Sequence, residues 1–154
     1  MSAFRIALIG NPNCGKTTLF NALTGSHQKV GNWPGVTVEK KIGTFTDKNR
    51  DCVIVDLPGI YSLEQDYLGL DEKIARDYLT AGDFDVILNI IDAGNLQRNL
   101  ILTQQLLELG LPVVVAVNML DVAEREGITV DTESLADHLG APVAPIIASK
   151  QQGL

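Results

Sequence analysis

The sequence predicts an α/β domain: a mostly parallel six-stranded sheet, one antiparallel hairpin at its edge, and helices on both faces. Two observations carry this. Apolar runs of strand length alternate along the 154 residues with stretches whose apolar residues recur at helical spacing, and no repeat or low-complexity segment interrupts them. The first such run, Phe4 to Ile9, leads through Gly10-Asn11-Pro12-Asn13-Cys14-Gly15-Lys16-Thr17 into a helical stretch, Lys16 to Leu23. That octapeptide fits G-x-x-x-x-G-K-[ST] in its required setting, after a strand and at a helix N-terminus.

The elements follow in order. Ser26 to Thr37 is polar and glycine-rich, and its Pro34-Gly35 favours a type II turn, so it reads as a loop. Val38 to Thr46 alternates enough to be an edge strand, and a turn over Asp47 to Arg50 joins it to Cys52 to Val55 as a hairpin. Phe84 to Ile91 and Pro112 to Val117 are continuous apolar runs suited to a sheet covered on both faces, with a helix over Leu96 to Leu109 between them. A helix over Thr132 to Leu139 and a strand over Val143 to Ala148 complete the pattern. A doubly wound domain would add a covering helix there, so the expected domain spans 1–154 and reads as truncated before its last helix.

Composition narrows the class. At 45% apolar residues the chain can form one globular core. Twelve basic against nineteen acidic residues give a net charge of −7, which opposes nonspecific binding to nucleic acid or anionic lipid. Two cysteines, Cys14 and Cys52, suggest neither a disulfide scaffold nor a zinc site. No apolar run reaches the roughly 18 residues of a spanning helix, and Met1-Ser2-Ala3 is unlike a signal peptide.

The chemistry sits in four stations. In the phosphate loop, Asn11, Pro12, Asn13, Cys14, Gly15, Lys16, Thr17 and Thr18 would surround the phosphates: backbone N–H groups point inward, Lys16 reaches the β- and γ-phosphates, and Thr17 ligates Mg²⁺. Asp56-Leu57-Pro58-Gly59 closes an apolar strand, which places Asp56 to hold the water shell of Mg²⁺ and the Gly59 N–H to meet a terminal phosphate. Asn118-Met119-Leu120-Asp121 offers a carboxylate, Asp121, that can accept both N1–H and the exocyclic amine of guanine, with Asn118 at the O6/N7 edge. Ala148-Ser149-Lys150 could supply backbone N–H to the base oxygen. Each of the last three is weak alone, an Asp before Pro-Gly being an ordinary turn residue and an Asn or Asp an ordinary cap.

Together, in this order and spacing, the stations resemble the Ras-like P-loop GTPases, and the resemblance covers nearly the whole chain. Three stretches narrow it: Gly10 to Asn21, then Val30-Gly31-Asn32-Trp33-Pro34-Gly35-Val36-Thr37-Val38-Glu39, then Asp56 to Leu63. They look like the cytosolic G domain of the FeoB family of bacterial ferrous-iron transporters. The resemblance implies that Ser26 to Thr37 is a first switch whose Thr37 joins Thr17 on Mg²⁺, and that residues after Asp56 form the second. It further implies GTP binding with slow hydrolysis to GDP, at the cytoplasmic face of the bacterial inner membrane. The implied partner is the membrane permease portion of the same polypeptide; a homo-oligomer is left open and no nucleic-acid partner is expected.

Ile60 stands where many GTPases carry a water-positioning glutamine, and its side chain can neither donate nor accept a hydrogen bond. The resemblance implies a substitute: Asn13 as a K⁺ ligand, with the carbonyls of Gly31 and Trp33 from the switch side. The expected catalytic set is therefore Asn13, Lys16, Thr37 and Gly59. In this picture Trp33 is an exposed switch aromatic. Met119 replaces a lysine common in other GTPases, and its apolar stem can still pack on the base. Arg98, His27, His138 and the run Glu124-Arg125-Glu126 read as surface residues. Two alternatives stand beside this one. A free-standing GTPase of ribosome assembly or tRNA modification is disfavoured by the acidic balance and the Trp33 loop, and a P-loop ATPase or small-molecule kinase by Asn118 and Asp121.

Overall fold

The computed structural model describes residues 3–12, 14–47, 49–63 and 69–146. Among these, seven strands form one sheet in the order β2-β3-β4-β1-β5-β6-β7. The strands are β1 (Phe4–Gly10), β2 (Gln28–Asn32), β3 (Glu39–Asp47), β4 (Arg50–Asp56), β5 (Val86–Asp92), β6 (Val113–Asn118) and β7 (Val143–Pro145). The helices are α1 (Lys16–Thr24), α2 (Leu70–Ala81), α3 (Leu96–Glu108), α4 (Leu120–Arg125) and α5 (Thr132–Leu139). Strands β4, β1, β5, β6 and β7 run parallel, while β3 is antiparallel to both β4 and β2. The α/β class, the mostly parallel sheet and the antiparallel edge are as the sequence predicts.

The sheet has one strand more than expected. Gln28–Asn32 lies inside the segment read as a loop, and it moves the edge from β3 to β2. The reason is physical: β2 is polar, its Val30 is 62% exposed, and its ladder to β3 rather than a buried face holds it in place. The expected turn follows it. The Val36 N–H donates to the Trp33 carbonyl at 3.2 Å across Pro34-Gly35, and Gly35 takes a φ of 75°, which a β-carbon would resist. Helix α2 has no counterpart in the sequence reading. The expected strand end at Ala148 lies outside the described residues, which carry β7 only to Pro145.

Alternation along the strands fills two layers. Ala7, Ile9, Val55, Leu57, Ile87, Ile91, Val115 and Val117 face a core with Ala75 and Leu79 of α2 and with Leu102 and Leu106 of α3. Leu8, Ile54, Ile90 and Ala116 face the other way, onto Leu19 and Phe20 of α1. Both faces of the central strands are therefore dry, which explains why their interiors are apolar apart from Asn89 of β5. Helix α1 approaches β3 so closely that a methyl at Gly43 would collide with the Thr24 side chain.

A buried polar chain runs through the larger layer. Thr103 of α3 donates its hydroxyl to Asn89 of β5, and the Asn89 amide donates to the Ile9 carbonyl at 3.2 Å. Asn99 accepts from the Asp92 N–H and donates to the Asn95 carbonyl. These bonds tie α3 to the carboxyl ends of β1 and β5, directly beneath the phosphate loop.

Candidate functional site

The sheet topology decides where a ligand can sit. From β1 the chain builds β2 to β4 on one side and β5 to β7 on the other, so the loop after β1 emerges at the point where the winding reverses. Register brings the other stations to the same end: Leu8 pairs with Asp56, Gly10 with Ile90, and Asp92 with Asn118. A cleft of about 600 Å³ opens there, lined by Asn11, Pro12, Gly15, Lys16, Thr17, Thr18, Gly59, Asp71 and Met119.

The loop itself is shaped by close approaches. Gly15 has a φ of 92°, and a methyl there would collide with Asn118 Nδ2, so glycine is required on two counts. Asn118 Nδ2 donates to the Cys14 carbonyl at 3.1 Å, and Met119 Cε would lie 3.6 Å from that same methyl. The phosphate loop and the end of β6 thus form one wall. Met119 has a φ of 62°, an uncommon left-handed conformation for a side-chain-bearing residue, and it turns the chain sharply from β6 into α4. Asp121 follows, half-buried in the first turn of α4.

The second wall comes from the chain after β4. The Leu57 N–H donates to the Leu8 carbonyl and the Ile60 N–H to the Gly10 carbonyl, both at 3.0 Å, continuing the β1–β4 pairing past the strand end. A methyl at Gly59 would press on Pro12 at 3.1 to 3.3 Å. Ile60 itself is fully buried in the core, where its apolar side chain anchors this segment. Beyond it the backbone is clamped. Gln105 accepts from the Leu63 N–H at 2.6 Å and donates to the Ser62 hydroxyl at 2.8 Å. Arg76 donates to the Leu63 carbonyl at 2.9 Å, and the Arg98 guanidinium lies 4.1 Å from the Tyr61 ring centre. Arg98 is exposed as expected, with a specific aromatic partner.

Charge at the base of the cleft is paired. Lys16 Nζ, in the loop, forms an ion pair with Asp56 at the end of β4, and their side chains are only 12% and 10% exposed. Cys14 is buried, and desolvation is the main cause that pushes its thiol up to about 11, against the opposing pull of the Lys16 charge. Asn11 is 3% exposed, and neither its amide nitrogen nor its carbonyl oxygen has a hydrogen-bond partner among the described residues. A loop whose glycine cannot carry a side chain, a cation held by a carboxylate, and an unsatisfied amide together suit an anionic ligand accompanied by a metal ion.

Other expected residues lie elsewhere. Gly31 is in the β2 ladder opposite Lys40, and Thr37 is exposed beyond the turn. Neither they nor Trp33 line the cleft. Trp33 is not exposed: at 7% it is part of the core, edge-on to Tyr78 with ring centres 5.8 Å apart and with Lys40 Nζ 4.5 Å from its ring centre. An indole gains more from packing on α2 than from water, although its N–H has no partner among the described residues. Asn13 and Ala148-Ser149-Lys150 lie outside the described residues. His27 and His138 are exposed. Sequence reasoning passed over Asp71, whose place in the first turn of a helix was the available signal, and Gln105, for which there was none.

Comparison with known proteins adds the following. The family described as ferrous iron transport protein B matches residues 4–154. The chain is 52% identical over 156 residues to the Fe(2+) transporter FeoB of Salmonella typhimurium, covering all of this chain and 20% of that protein. It therefore spans about a fifth of the length of the curated relatives it matches. Among solved structures it is similar to the cytosolic domain of L. pneumophila FeoB, at 56% identity and a TM-score of 0.92, covering 97% of this chain and 64% of that one. It is also similar to an S. thermophilus NFeoB mutant bound to GDP, at 54% identity and a TM-score of 0.92, covering 99% of this chain and 57% of that one.

Proposed function

Because the chain belongs to the ferrous iron transport protein B family, we propose that it is the guanine-nucleotide switch of a longer transporter, binding GTP and hydrolysing it slowly to GDP. The single observation that carries this reading is the convergence of Lys16, Asp56, Gly59 and the Asn118–Met119 corner on one cleft at the sheet's reversal point. The relative bound to GDP supports the choice of nucleotide, and family membership favours this reading over a free-standing GTPase.

Each residue has a task that follows from its place. Lys16, freed from Asp56, neutralises the β- and γ-phosphates alongside the N-terminus of α1. Thr17, Asp56 and Thr37 would hold Mg²⁺, which supplies charge neutralisation at the phosphates when bound. The Gly59 N–H contacts the γ-phosphate, and the absence of a side chain there lets the backbone lie on Pro12. Asp121 selects guanine and Asn118 braces the base against the loop through the Cys14 carbonyl. Ala148, Ser149 and Lys150 complete the base site.

Slow turnover follows from Ile60, whose buried side chain positions no water. K⁺ held by Asn13 with the carbonyls of Gly31 and Trp33 would compensate. For that, Gly31 has to leave the β2 ladder and the Trp33 carbonyl its turn, so the first switch is refolded by the triphosphate. No described helix is long and apolar enough to cross a membrane; the transporter's membrane part and the iron it moves belong to the remainder of a longer polypeptide, with this domain on the cytosolic side.

The test is direct. Titration with GDP and ADP should give a strong preference for GDP that Asp121→Asn abolishes; equal affinities would refute the guanine assignment. GTP turnover should be faster in KCl than in NaCl at equal ionic strength, and equal rates would remove K⁺ from the proposal.

A further inference from the structure

Asn11 is the residue whose state the site leaves unexplained. Its carboxamide is buried to 3% exposure in the wall of the cleft, and both of its polar atoms lack partners among the described residues. Buried amides are almost always hydrogen-bonded, because stripping water from a donor and an acceptor without replacement is costly. An orphan at this position calls for a partner that the described residues do not supply in this state.

The neighbours on either side of Asn11 identify that partner. The Gly10 carbonyl already accepts the Ile60 N–H at 3.0 Å, and Pro12 already carries Gly59 against its ring and α-carbon. Asn11 is thus flanked, before and after, by the backbone of the segment 57–60. A carboxamide presents one donor face and one acceptor face, which complement the C=O and N–H of a peptide unit. The Gly59 peptide lies against Pro12, next in the chain to Asn11, so a turn of its N–H toward a terminal phosphate would take place beside that amide.

We propose that Asn11 is a positioning residue for the triphosphate state: its side-chain amide receives a peptide group of the segment 57–60 when the γ-phosphate draws Gly59 in. This rests on the guanine-nucleotide reading above and deepens it by naming what discriminates GTP from GDP. With GDP the amide stays unpaired and the cost of its burial is borne by the fold. With GTP the pair forms, so Asn11 adds to the affinity for triphosphate alone. A residue with only a structural role would affect both nucleotides alike.

The experiment compares the wild-type chain with Asn11→Leu, close in volume and without polar atoms, and with Asn11→Ser as a second variant in case leucine does not fold. Dissociation constants are measured for Mg²⁺-GDP and for a Mg²⁺-bound non-hydrolysable GTP analogue, and melting temperatures are measured without nucleotide. Removing one or two hydrogen bonds made only with triphosphate weakens the analogue by about tenfold. GDP affinity falls by less than the analogue's, so the ratio of the two dissociation constants shifts by several-fold in the same variant. The nucleotide-free Asn11→Leu protein melts about 2–4 °C higher, because the unpaired burial has been removed. Equal weakening of both nucleotides, or an unchanged ratio, overturns the inference while leaving the guanine reading intact. Failure of the wild type to bind either nucleotide overturns both together.

Discussion

Under the proposed function the ion pair between Lys16 and Asp56 has to open for the nucleotide, and its strength can be measured before any nucleotide is added. Both side chains are about nine-tenths buried. Asp56→Asn keeps the shape and deletes the charge, leaving the Lys16 ammonium at the base of the cleft without its counter-ion. Removing one partner of a buried pair costs on the order of 3 kcal/mol, taken at the low end because this pair borders an open cleft. For a domain of this size that corresponds to a melting temperature lower by about 6–12 °C. Lys16→Met should do likewise. The double variant Lys16→Met with Asp56→Leu, which leaves no lone charge, should recover most of the loss. The assay is calorimetric melting in a chelator without nucleotide. A melting temperature within 2 °C of wild type for Asp56→Asn, or a double variant as unstable as the two singles summed, would refute the reasoning. With GDP present, added Mg²⁺ should raise the melting temperature of the wild type and leave Asp56→Asn unmoved.

Three further outcomes follow from the same geometry. The Cys14 thiol is pushed up to about 11 from 9.0 by burial, so the folded state holds its proton more tightly than the unfolded chain; its contribution is complete below pH 9 and fades as pH rises through 11. By linkage that is on the order of 2–3 kcal/mol, and Cys14→Ala should flatten the melting curve's dependence on pH over that window. Gln105→Ala removes the acceptor for the Leu63 N–H and the donor to Ser62, so hydrogen exchange at Leu63 should quicken about tenfold while the β1 and β5 amides hold their protection. Trp33 is the single tryptophan of the chain, and its emission should be blue-shifted and resistant to iodide without nucleotide. If the first switch refolds as proposed, the GTP analogue should redden that emission and GDP should not; an identical response to both would detach Trp33 from the switch.

How far the sequence could carry the fold is best judged strand by strand. The central strands were legible because both their faces are buried, so hydrophobicity alone marks them. Strand β2 was not, because Gln28–Asn32 buries little and is held by a ladder to β3 that only the folded chain supplies. Helix α2 is a different failure: Leu70, Ile74 and Tyr78, with Ala75 and Leu79, recur at helical spacing, and the signal was present in the residues. Trp33 was misplaced for the same cause, since the face it packs on is Tyr78 of that overlooked helix.

Within the site, the motifs announced which residues matter and were silent on how they meet. Lys16 and Asp56 read as two separate phosphate and metal ligands, and their direct pairing is visible only once β1 and β4 lie side by side. Ile60 makes the same point more sharply. By sequence it is a missing glutamine, a loss of function. In the fold its side chain is in the core and its N–H is on the Gly10 carbonyl, so the position serves to fasten the segment after Asp56 to the phosphate loop. One side chain cannot be wholly buried there and also reach a water beside the γ-phosphate. The fastening and the water-positioning roles exclude each other at residue 60, so under the function proposed above any group that positions the water has to come from another residue.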